Sequence, residues 1–247
     1  MKSKKQVALV TGGAKRIGAS ICKRLHGADI DLIIHYRNSE NEAQALKKEL
    51  NDLRKNSATI IQADLCNQKT YQSIISECIN IYGQINYLIN NASSYYPTKL
   101  GSINESNWND LMTTNLKAPL FLCQSAAPYL QKTKGAIINI TDVHIQKPKK
   151  NYVVYSIAKA GLETLTKSLA YELGPDIRVN AVAPGPVLWS EHSHEFDEAY
   201  REKVISQTLL KRIGESDDIA KAVEFLLLNA PFITGQILNV DGGRSFT

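Results

Sequence analysis

Residues 155–159 (YSIAK) carry the pair of side chains in this sequence best suited to proton transfer. A spacing of four residues places the phenol of Tyr155 and the ammonium of Lys159 on one face of a helix. Positive charge beside a phenol favours the phenolate, so proton transfer at neutral pH becomes easier. We therefore predict Tyr155 as the proton-transfer group and Lys159 as its electrostatic partner. The pattern alone is common on protein surfaces, so it needs support from its surroundings.

A glycine-containing turn near the start of the chain is typical of a phosphate-binding site. Residues 7–18 (VALVTGGAKRIG) are an apolar strand, a turn and the start of a helix. Gly12 and Gly13 allow close backbone approach, and Gly18 allows the helix to pack on the sheet. The free N–H groups of the helix N-terminus then attract a pyrophosphate.

The end of the second strand distinguishes NAD from NADP, because an acid there binds the adenosine ribose and a cation accepts a 2′-phosphate. Residues 35–39 (HYRNS) contain no acid, and the first one is Glu40. We therefore predict NADPH, while the alternative is that Arg37 only faces solvent. The candidate phosphate ligands are Lys15, Arg16, Arg37 and Ser39.

Apolar runs alternate with amphipathic stretches along the whole chain, which predicts a doubly wound, Rossmann-type parallel α/β sheet of about seven strands with helices on both faces. Several strands are continuously apolar, as expected for a sheet covered on both faces. The strands are predicted at Val7–Val10, Asp31–His35, Ala58–Gln62, Ile85–Asn90, Ala136–Ile140, Ile177–Ala181 and Gln236–Val240. The helices are predicted at 17–27, 40–55, 69–82, 105–131, 152–173 and 217–229, the last with Ser216 as N-cap. No linker interrupts 1–247, so we predict a single domain.

Composition excludes several classes of protein. The chain has 247 residues, 43% hydrophobic and 21% charged, which is ordinary globular usage. No apolar run approaches the ~20 residues that cross a bilayer, and we expect neither a membrane span nor a signal peptide. The net charge of +5 is spread along the chain, so we expect no nucleic-acid partner. The four cysteines fall singly, which favours the cytoplasm over a disulfide-bonded setting.

The polar segment 189–207 breaks the alternation of strands and helices. We interpret it as a substrate lid at the carboxyl end of the sheet, the alternative being a surface insertion. Residues 191–195 (EHSHE) superficially resemble metal ligands. Alternate residues of a loop form no dedicated cage, so we predict no metal site.

The motifs follow one another in a fixed order: TGxxxRIG at 11–18, NNA at 90–92, Asn115, YxxxK at 155–159 and PG at 184–185. In this combination the sequence resembles the short-chain dehydrogenase/reductase family over its whole length. The resemblance implies a catalytic Asn115, a Lys159 that binds the nicotinamide ribose, and a homotetramer. The apolar stretches Phe225–Leu228 and Phe232–Leu238 are candidate subunit contacts. The cofactor site it implies comprises Gly12, Lys15, Arg16, Ile17, Gly18, His35, Tyr36, Arg37, Asn38, Ser39, Asp64, Leu65, Asn91, Ala92, Ser93, Tyr155, Lys159, Pro184 and Gly185.

Three departures from the common family pattern narrow the resemblance to one subgroup of the family. Arg16 stands at the usual second glycine of the turn, Asp142 at the serine thirteen residues before the tyrosine, and Ser93 at the glycine after NNA. All three are similar to the pteridine reductases, as is the aromatic pair that follows Ser94. The expected substrate is therefore a dihydropterin or a folate.

The chemistry of a pterin suits these residues. Tyr95 can stack on the flat ring, whereas ordinary core packing is its alternative role. Ser93 can hydrogen-bond the pterin edge or a cofactor phosphate, and Arg16 can lie between the pyrophosphate and the pterin. A carboxylate at Asp142 would repel the oxyanion of a ketone but can relay a proton through Tyr155 to nitrogen; a loop salt bridge or helix cap is the alternative.

The predicted function is NADPH-dependent reduction of a dihydropterin to its tetrahydro form. Its nearest rival is a dihydromonapterin reductase, which would share the same residues. A carbonyl or 3-oxoacyl thioester reductase is disfavoured by Asp142 and Arg16. A non-catalytic NADP(H)-binding sensor is disfavoured by the intact Tyr155 and Lys159.

Overall fold

The strands lie where the apolar runs are, and the computed structural model describes residues 5–146, 149–187 and 198–247 of the chain. Three of the seven strands are buried at every position, as predicted for a sheet covered on both faces. In a fourth strand, Asp31–Tyr36, only the first residue is partly exposed, and these four strands lie side by side in the sheet. The strands are β1 (Val7–Val10), β2 (Asp31–Tyr36), β3 (Ala58–Gln62), β4 (Tyr87–Asn90), β5 (Ala136–Ile140), β6 (Arg178–Pro184) and β7 (Ile237–Val240).

All seven strands are parallel and their order is β3-β2-β1-β4-β5-β6-β7. The chain winds outward from β1 in one direction to β3, and from β4 in the other to β7. The order therefore reverses between β1 and β4, and such a sheet binds its ligand outside the carboxyl ends of the strands at that point. The predicted doubly wound fold is confirmed.

Helices cover the two faces of the sheet in separate layers. One hydrophobic cluster contains side chains of α1, α2 and α8, and the other contains side chains of α3, α5 and α6. The helices are α1 (Arg16–Gly27), α2 (Glu40–Leu53), α3 (Thr70–Tyr82), α4 (Glu105–Met112), α5 (Ala118–Thr133), α6 (Val153–Leu173), α7 (Glu198–Ser206) and α8 (Ser216–Glu224).

The long helix predicted at 105–131 is divided in two. A π-helical segment, Thr113–Lys117, separates α4 from α5. Pro119 lacks the N–H group that would bond to the carbonyl of Asn115, so a regular α-helical ladder is not possible there. Insertions of this kind are frequent at functional sites, and this one contains Asn115.

Five strand boundaries and one cap differ from the prediction; the end of β2 (Tyr36) and the start of β6 (Arg178) each differ by a single residue. β4 begins at Tyr87 because the side chain of Asn86 accepts the N–H of Val7, and β7 begins after Gln236, whose N–H goes to Asn180. β6 continues to Pro184 because β7 pairs with it that far. Glu215, and not Ser216, is the N-cap of α8, since it forms a capping box with Asp218.

Residues 189–197 of the segment 189–207 lie outside the described residues, which resume at 198. Its described part forms α7, a helix that the sequence did not predict. The lid therefore remains an interpretation. Within the described part of the chain, every helix is too short or too polar to span a membrane.

Two glycines of α1 test how tightly the glycine turn is packed. A Cβ added at Gly18 would lie 2.2 Å from the carbonyl oxygen of Gly12 and 2.7 Å from Nδ2 of Asn91, whereas one at Gly27 would meet nothing within 4 Å. We expect Gly18→Ala to lower the free energy of unfolding by about 1–3 kcal/mol. Gly27→Ala, the matched control, should raise it by about 0.5–1 kcal/mol. Urea unfolding measures both, and equal effects would contradict this packing.

Candidate active site

The turn after β1 is fixed by the loop that follows β4. Thr11 Oγ1 accepts the backbone N–H groups of Asn91 and Ala92, each at 3.0 Å. In return, the side-chain amide of Asn91 donates to the carbonyls of Thr11 and Gly12, both at 2.9 Å. Gly12 has a φ of 60°, which favours glycine. The predicted phosphate turn is thus held in one conformation, and Asn91 holds it.

A cleft of about 720 Å³ opens beside this turn. It lies at the point where the strand order reverses, as a nucleotide site in this type of sheet should. Eleven predicted cofactor residues line it: Gly12, Lys15, His35, Tyr36, Arg37, Asn38, Ser39, Asp64, Leu65, Ala92 and Ser93. Ala14, Ser94 and Thr114 also line it, and sequence reasoning missed them.

His35 has a structural role within this cleft. Its Nδ1 accepts the N–H of Gly12 at 3.2 Å, so Nε2 carries the proton and donates to the carbonyl of Ala63 at 3.1 Å. Burial lowers the pKa of His35 to about 4, which matches a neutral ring. Because both nitrogens are used, His35 ties β2 to the turn and to the chain after β3.

The predicted phosphate ligands differ in how they are held. Lys15 Nζ lies 2.5 Å from Glu42, and both side chains are about half exposed. Arg37 lies 3.9 Å from Asp110 and is 49% exposed. Exposed ion pairs of this kind contribute about 0–1 kcal/mol, so either cation can turn to a phosphate instead. Arg16 is exposed and has a φ of 52°, in the region that favours glycine.

These residues fit a phosphorylated dinucleotide. The turn offers backbone without side chains at Gly12 and Gly18, where an added Cβ would meet neighbouring atoms. The N-terminus of α1 faces the same turn, and Lys15, Arg37 and Ser39 line the cleft beyond it. The positive end of a helix with flanking cations is suited to phosphate groups. A reduced nicotinamide dinucleotide, when bound here, would supply a hydride.

Asp142, Tyr155 and His144 form a hydrogen-bonded chain. Tyr155 Oη donates to Oδ2 of Asp142 at 2.7 Å, across the predicted thirteen-residue spacing. Oδ1 of Asp142 accepts both the backbone N–H and the ring Nδ1 of His144, each at 2.8 Å. Asp142 also caps the short helix Val143–Ile145, so the two alternative roles of this carboxylate are both present.

The charges in this chain are set by burial and by these bonds. Burial raises the pKa of Asp142, but the hydrogen bonds and charge of His144 and the bond from Tyr155 outweigh it and lower the pKa overall. Burial, followed by the neighbouring carboxylate of Asp142, raises the pKa of Tyr155 well above its usual value. Asp142 is therefore a carboxylate at neutral pH and Tyr155 a neutral phenol.

Lys159 lies beside Tyr155 but donates its hydrogen bond to the backbone. Its Nζ donates to the carbonyl of Ile140 at 2.8 Å and lies 5.8 Å from the ring centre of Tyr155. Burial lowers the pKa of Lys159 to about 8, partly offset by Asp142. The pKa of Tyr155 is raised overall because burial and Asp142 dominate there, and the electrostatic effect of Lys159 on the phenol stays a prediction.

Asn115 connects the π-helical segment to the loop after β4. Its Oδ1 accepts the hydroxyl of Ser93 at 2.7 Å, and its Nδ2 donates to the carbonyls of Ser94 and Leu111 at 3.0 and 2.9 Å. The side chain is fully buried. Asn115 thus positions Ser93, one of the predicted substrate ligands, and its catalytic role stays a prediction.

Tyr95 lies against Tyr155. Its ring stacks on Tyr152 with centroids 4.7 Å apart and meets Tyr155 edge-on at 4.8 Å. Lys149 Nζ donates to the hydroxyl of Tyr95 at 3.0 Å and lies 4.4 Å from the ring centre of Tyr152. Tyr95 is 47% exposed, so it is not a core residue. Tyr152 and Lys149 carried no recognisable motif in the sequence.

Known proteins resemble this chain along its whole length. The family model described as enoyl-(acyl carrier protein) reductase matches residues 12–245. Pteridine reductase 1 of Leishmania tarentolae is 35% identical over 98% of this chain and 96% of its own. The 3-oxoacyl-(acyl-carrier-protein) reductase of Staphylococcus epidermidis is 34% identical over 96% and 97%, and that of Staphylococcus aureus 35% over 96% and 96%.

The chain belongs to the short-chain dehydrogenase/reductase family. It is therefore an oxidoreductase of the NAD(P)H-dependent type found in that family. The relatives divide between two substrates at nearly equal identity, so overall similarity does not select a substrate. The selection depends on individual residues of the site.

Some predicted site residues of this short-chain dehydrogenase/reductase lie away from the cleft. Gly185 donates its N–H to Val240, and a Cβ added there would lie 2.5 Å from Cα of Asp241, so this glycine is needed for packing between β6 and the chain after β7. Pro184 ends β6. Ile17 and Gly18 belong to α1 behind the turn. Their contact with a cofactor stays a prediction.

The described residues contain no group of three His, Cys, Asp or Glu side chains arranged to hold a metal ion. Residues 191–195, considered in the sequence for that role, lie outside them. Three of the four cysteines are buried in helices, where burial raises the pKa of their thiols, and Cys66 is exposed.

The buried ammonium of Lys159 has a consequence for stability. Its pKa is about 8 in the fold against 10.5 when unfolded, so the unfolded chain binds more protons between these values and stability rises with pH there. We expect Lys159→Met to stabilise the protein by about 1–2 kcal/mol below pH 8, while abolishing activity. The gain should disappear as pH approaches 10.5.

Urea unfolding from pH 7 to 10.5 measures this difference. Lys167→Met is the control, because Lys167 is an exposed lysine of the same helix and should show no such pH dependence. A gain at Lys159 that is independent of pH would contradict the assignment.

Proposed function

We propose that this short-chain dehydrogenase/reductase is an NADPH-dependent pteridine reductase that converts a dihydropterin, or dihydrofolate, to the tetrahydro form. The observation that carries the proposal is the carboxylate of Asp142, hydrogen-bonded to Tyr155 at 2.7 Å. Pteridine reductase 1 is among the relatives at 35% identity.

The carboxylate separates the two candidate reactions by electrostatics. Reduction of a ketone places negative charge on oxygen, and a fixed carboxylate nearby opposes that charge. Reduction of a C=N bond adds hydride to carbon and a proton to nitrogen, which leaves the product neutral. The chain of Asp142 and Tyr155 suits the second reaction because it holds a proton at Tyr155 Oη.

The residues divide the work of this reaction. Tyr155 gives its proton to the ring nitrogen, and Asp142 holds the phenol and helps return a proton to it. Ser93, positioned by Asn115, binds the pterin edge. Tyr95 offers an aromatic surface beside Tyr155 for the flat ring.

The second candidate is a 3-oxoacyl thioester reductase, since such enzymes of two Staphylococcus species are equally similar. The family's usual serine at that position is Asp142 in this chain. A reductase for simple carbonyl groups would have to work against that carboxylate. We therefore rank this activity second, and a cofactor sensor below both.

We also propose a homotetramer with no nucleic-acid or membrane partner, in the cytoplasm. The candidate contact stretches are only partly available for it, because Leu226 and Leu227 are buried in the core. Phe225, Phe232 and Leu238 are exposed at 46%, 103% and 37%, and such apolar surface is suited to a subunit contact.

Substrate choice is tested with NADPH and a panel of dihydrobiopterin, dihydromonapterin, dihydrofolate, folate and an acetoacetyl thioester. We expect turnover of at least one dihydropterin and kcat/KM at least tenfold lower with the thioester. Asp142→Ser, which restores the family's usual residue, should lower kcat with the pterin by roughly 10²-fold or more. Asp142→Asn keeps the shape of the side chain and should lower kcat with the pterin by as much.

The opposite order of substrate preference identifies the second candidate function, a 3-oxoacyl thioester reductase. If the thioester is the better substrate and Asp142→Ser improves it further, the chain is a carbonyl reductase. NADPH affinity, measured by fluorescence, serves as the control for folding, since Asp142 is not assigned to the cofactor.

Cofactor choice depends on the cations beyond the turn. A charge-assisted bond to the 2′-phosphate is worth about 1.5–3 kcal/mol, so kcat/KM should favour NADPH over NADH by roughly 10- to 150-fold. Arg37→Ala should remove most of this preference. Lys48→Ala is the control, because Lys48 is an exposed cation of α2 paired with Asp52. Equal kcat/KM for the two cofactors in the unmodified protein would refute the NADPH assignment.

A further inference from the structure

Reduction by this site takes one proton from water in every turnover. The hydride and the proton leave the protein with the product, and Tyr155 is left as a phenolate beside the carboxylate of Asp142. Two adjacent negative charges at low dielectric are unfavourable, so a proton must return before the next turnover. Tyr155 is buried and cannot take it from bulk solvent directly.

We propose that His144 is the positioning residue through which this proton enters the Asp142–Tyr155 pair. The inference rests on the proposed role of Tyr155 as proton donor, but not on which substrate is reduced.

The geometry gives a path from solvent to the phenol. His144 Nδ1 lies 2.8 Å from Oδ1 of Asp142, and Oδ2 of the same carboxylate lies 2.7 Å from Tyr155 Oη. Exposure increases outward along this path: Tyr155 is buried, the Asp142 side chain is 16% exposed and the His144 side chain 27%. Among the described residues, only Asp142 bonds to the His144 ring, which leaves Nε2 for water.

The transfer balances without another reactant. The hydride forms the new C–H bond, and the O–H bond of Tyr155 breaks as its proton passes to the substrate. The imidazolium of His144 then gives its Nδ1 proton to Asp142, and the carboxyl group, by turning about its Cβ–Cγ bond, delivers a proton to the phenolate. Water finally reprotonates the imidazole at Nε2.

Apart from Tyr155 and His144, the described polar neighbours of Asp142 form no hydrogen bond to it. Lys159 lies behind the phenol, buried, with its ammonium on the carbonyl of Ile140. Glu163, on the same helix, feels the charge of Asp142, but burial raises its pKa and it forms no bond to Asp142. Tyr95 lies on the substrate side, with its hydroxyl bonded to Lys149. Tyr152, just before α6, meets the ring of Tyr155 edge-on with centroids 6.4 Å apart.

A purely structural role for His144 makes different predictions. The backbone N–H of His144 also holds Asp142, at 2.8 Å, and any side chain at position 144 keeps that bond. A substitution that retains a side-chain donor but cannot titrate therefore preserves the positioning and removes only the proton transfer. His144→Asn is that substitution, and His144→Ala removes both.

The test measures kcat against pH for the intact protein with whichever substrate it reduces. We expect His144→Asn to lower kcat about tenfold at pH 7, with KM for NADPH unchanged, and to change the dependence of kcat on pH. Imidazole added to His144→Ala should restore at least half of the lost kcat. His144→Asn with unmodified kcat and pH profile, or no effect of imidazole, would overturn the proposal.

A second measurement needs no turnover, so it separates this proposal from that of the pteridine substrate. Nuclear magnetic resonance of the histidine ring should show the Nδ1 proton of His144 strongly shifted downfield in the resting protein. Asp142→Asn should abolish the shift, and Glu163→Gln should leave it. If the protein reduces none of the panel but shows this resonance, the proposed substrate is wrong and the proton path is retained. If the resonance is absent, the proton path is refuted.

Discussion

A carboxylate held away from water is the constraint on which this site depends. Asp142 keeps its charge only because both of its oxygens accept hydrogen bonds, one from the Tyr155 phenol and one from two donors of His144. Breaking this arrangement on either side would leave a desolvated charge. The neutral phenol, the cap of the helix Val143–Ile145 and the orientation of the histidine ring all follow from satisfying one side chain.

The sheet brings these groups to a nucleotide. Residues after β1, β2 and β4 meet at the point where the strand order reverses, and Asp142 follows β5, the next strand outward. Hydrogen bonds join these loops, Thr11 with Asn91 and His35 with Gly12, and Ser93 bonds to Asn115 of the π-helical segment. The apolar strands thus determine where the loops lie, and the side chains at the strand ends determine their shape.

Sequence patterns predicted the features that depend on period and spacing. Continuous apolar runs gave the seven strands, and the separation of Asp142 and Tyr155 proved to be a direct bond. What they missed depends on side chains at positions without a pattern. The interruption at Asn115 depends on Pro119, the cap of α8 on a pair of acids, and the path through His144 on the turn of a short helix. The rise in the pKa of Tyr155 depends on burial, which the spacing of Tyr155 and Lys159 does not reveal.

The hydrogen bonds that join Thr11 and Gly12 to Asn91 and Ala92 affect how a nucleotide can bind. These four hydrogen bonds fix the glycine turn before any ligand arrives, so little chain entropy remains to be lost when a pyrophosphate settles there. The backbone of the glycine turn is thus rigid before a ligand binds, while the side chains of Lys15 and Arg37 at the edge of the cleft are held only by exposed ion pairs. In such a cleft the backbone of the turn determines the shape that a ligand must have. The cations at the edge, which can leave their ion pairs for a phosphate, determine which phosphate group is bound.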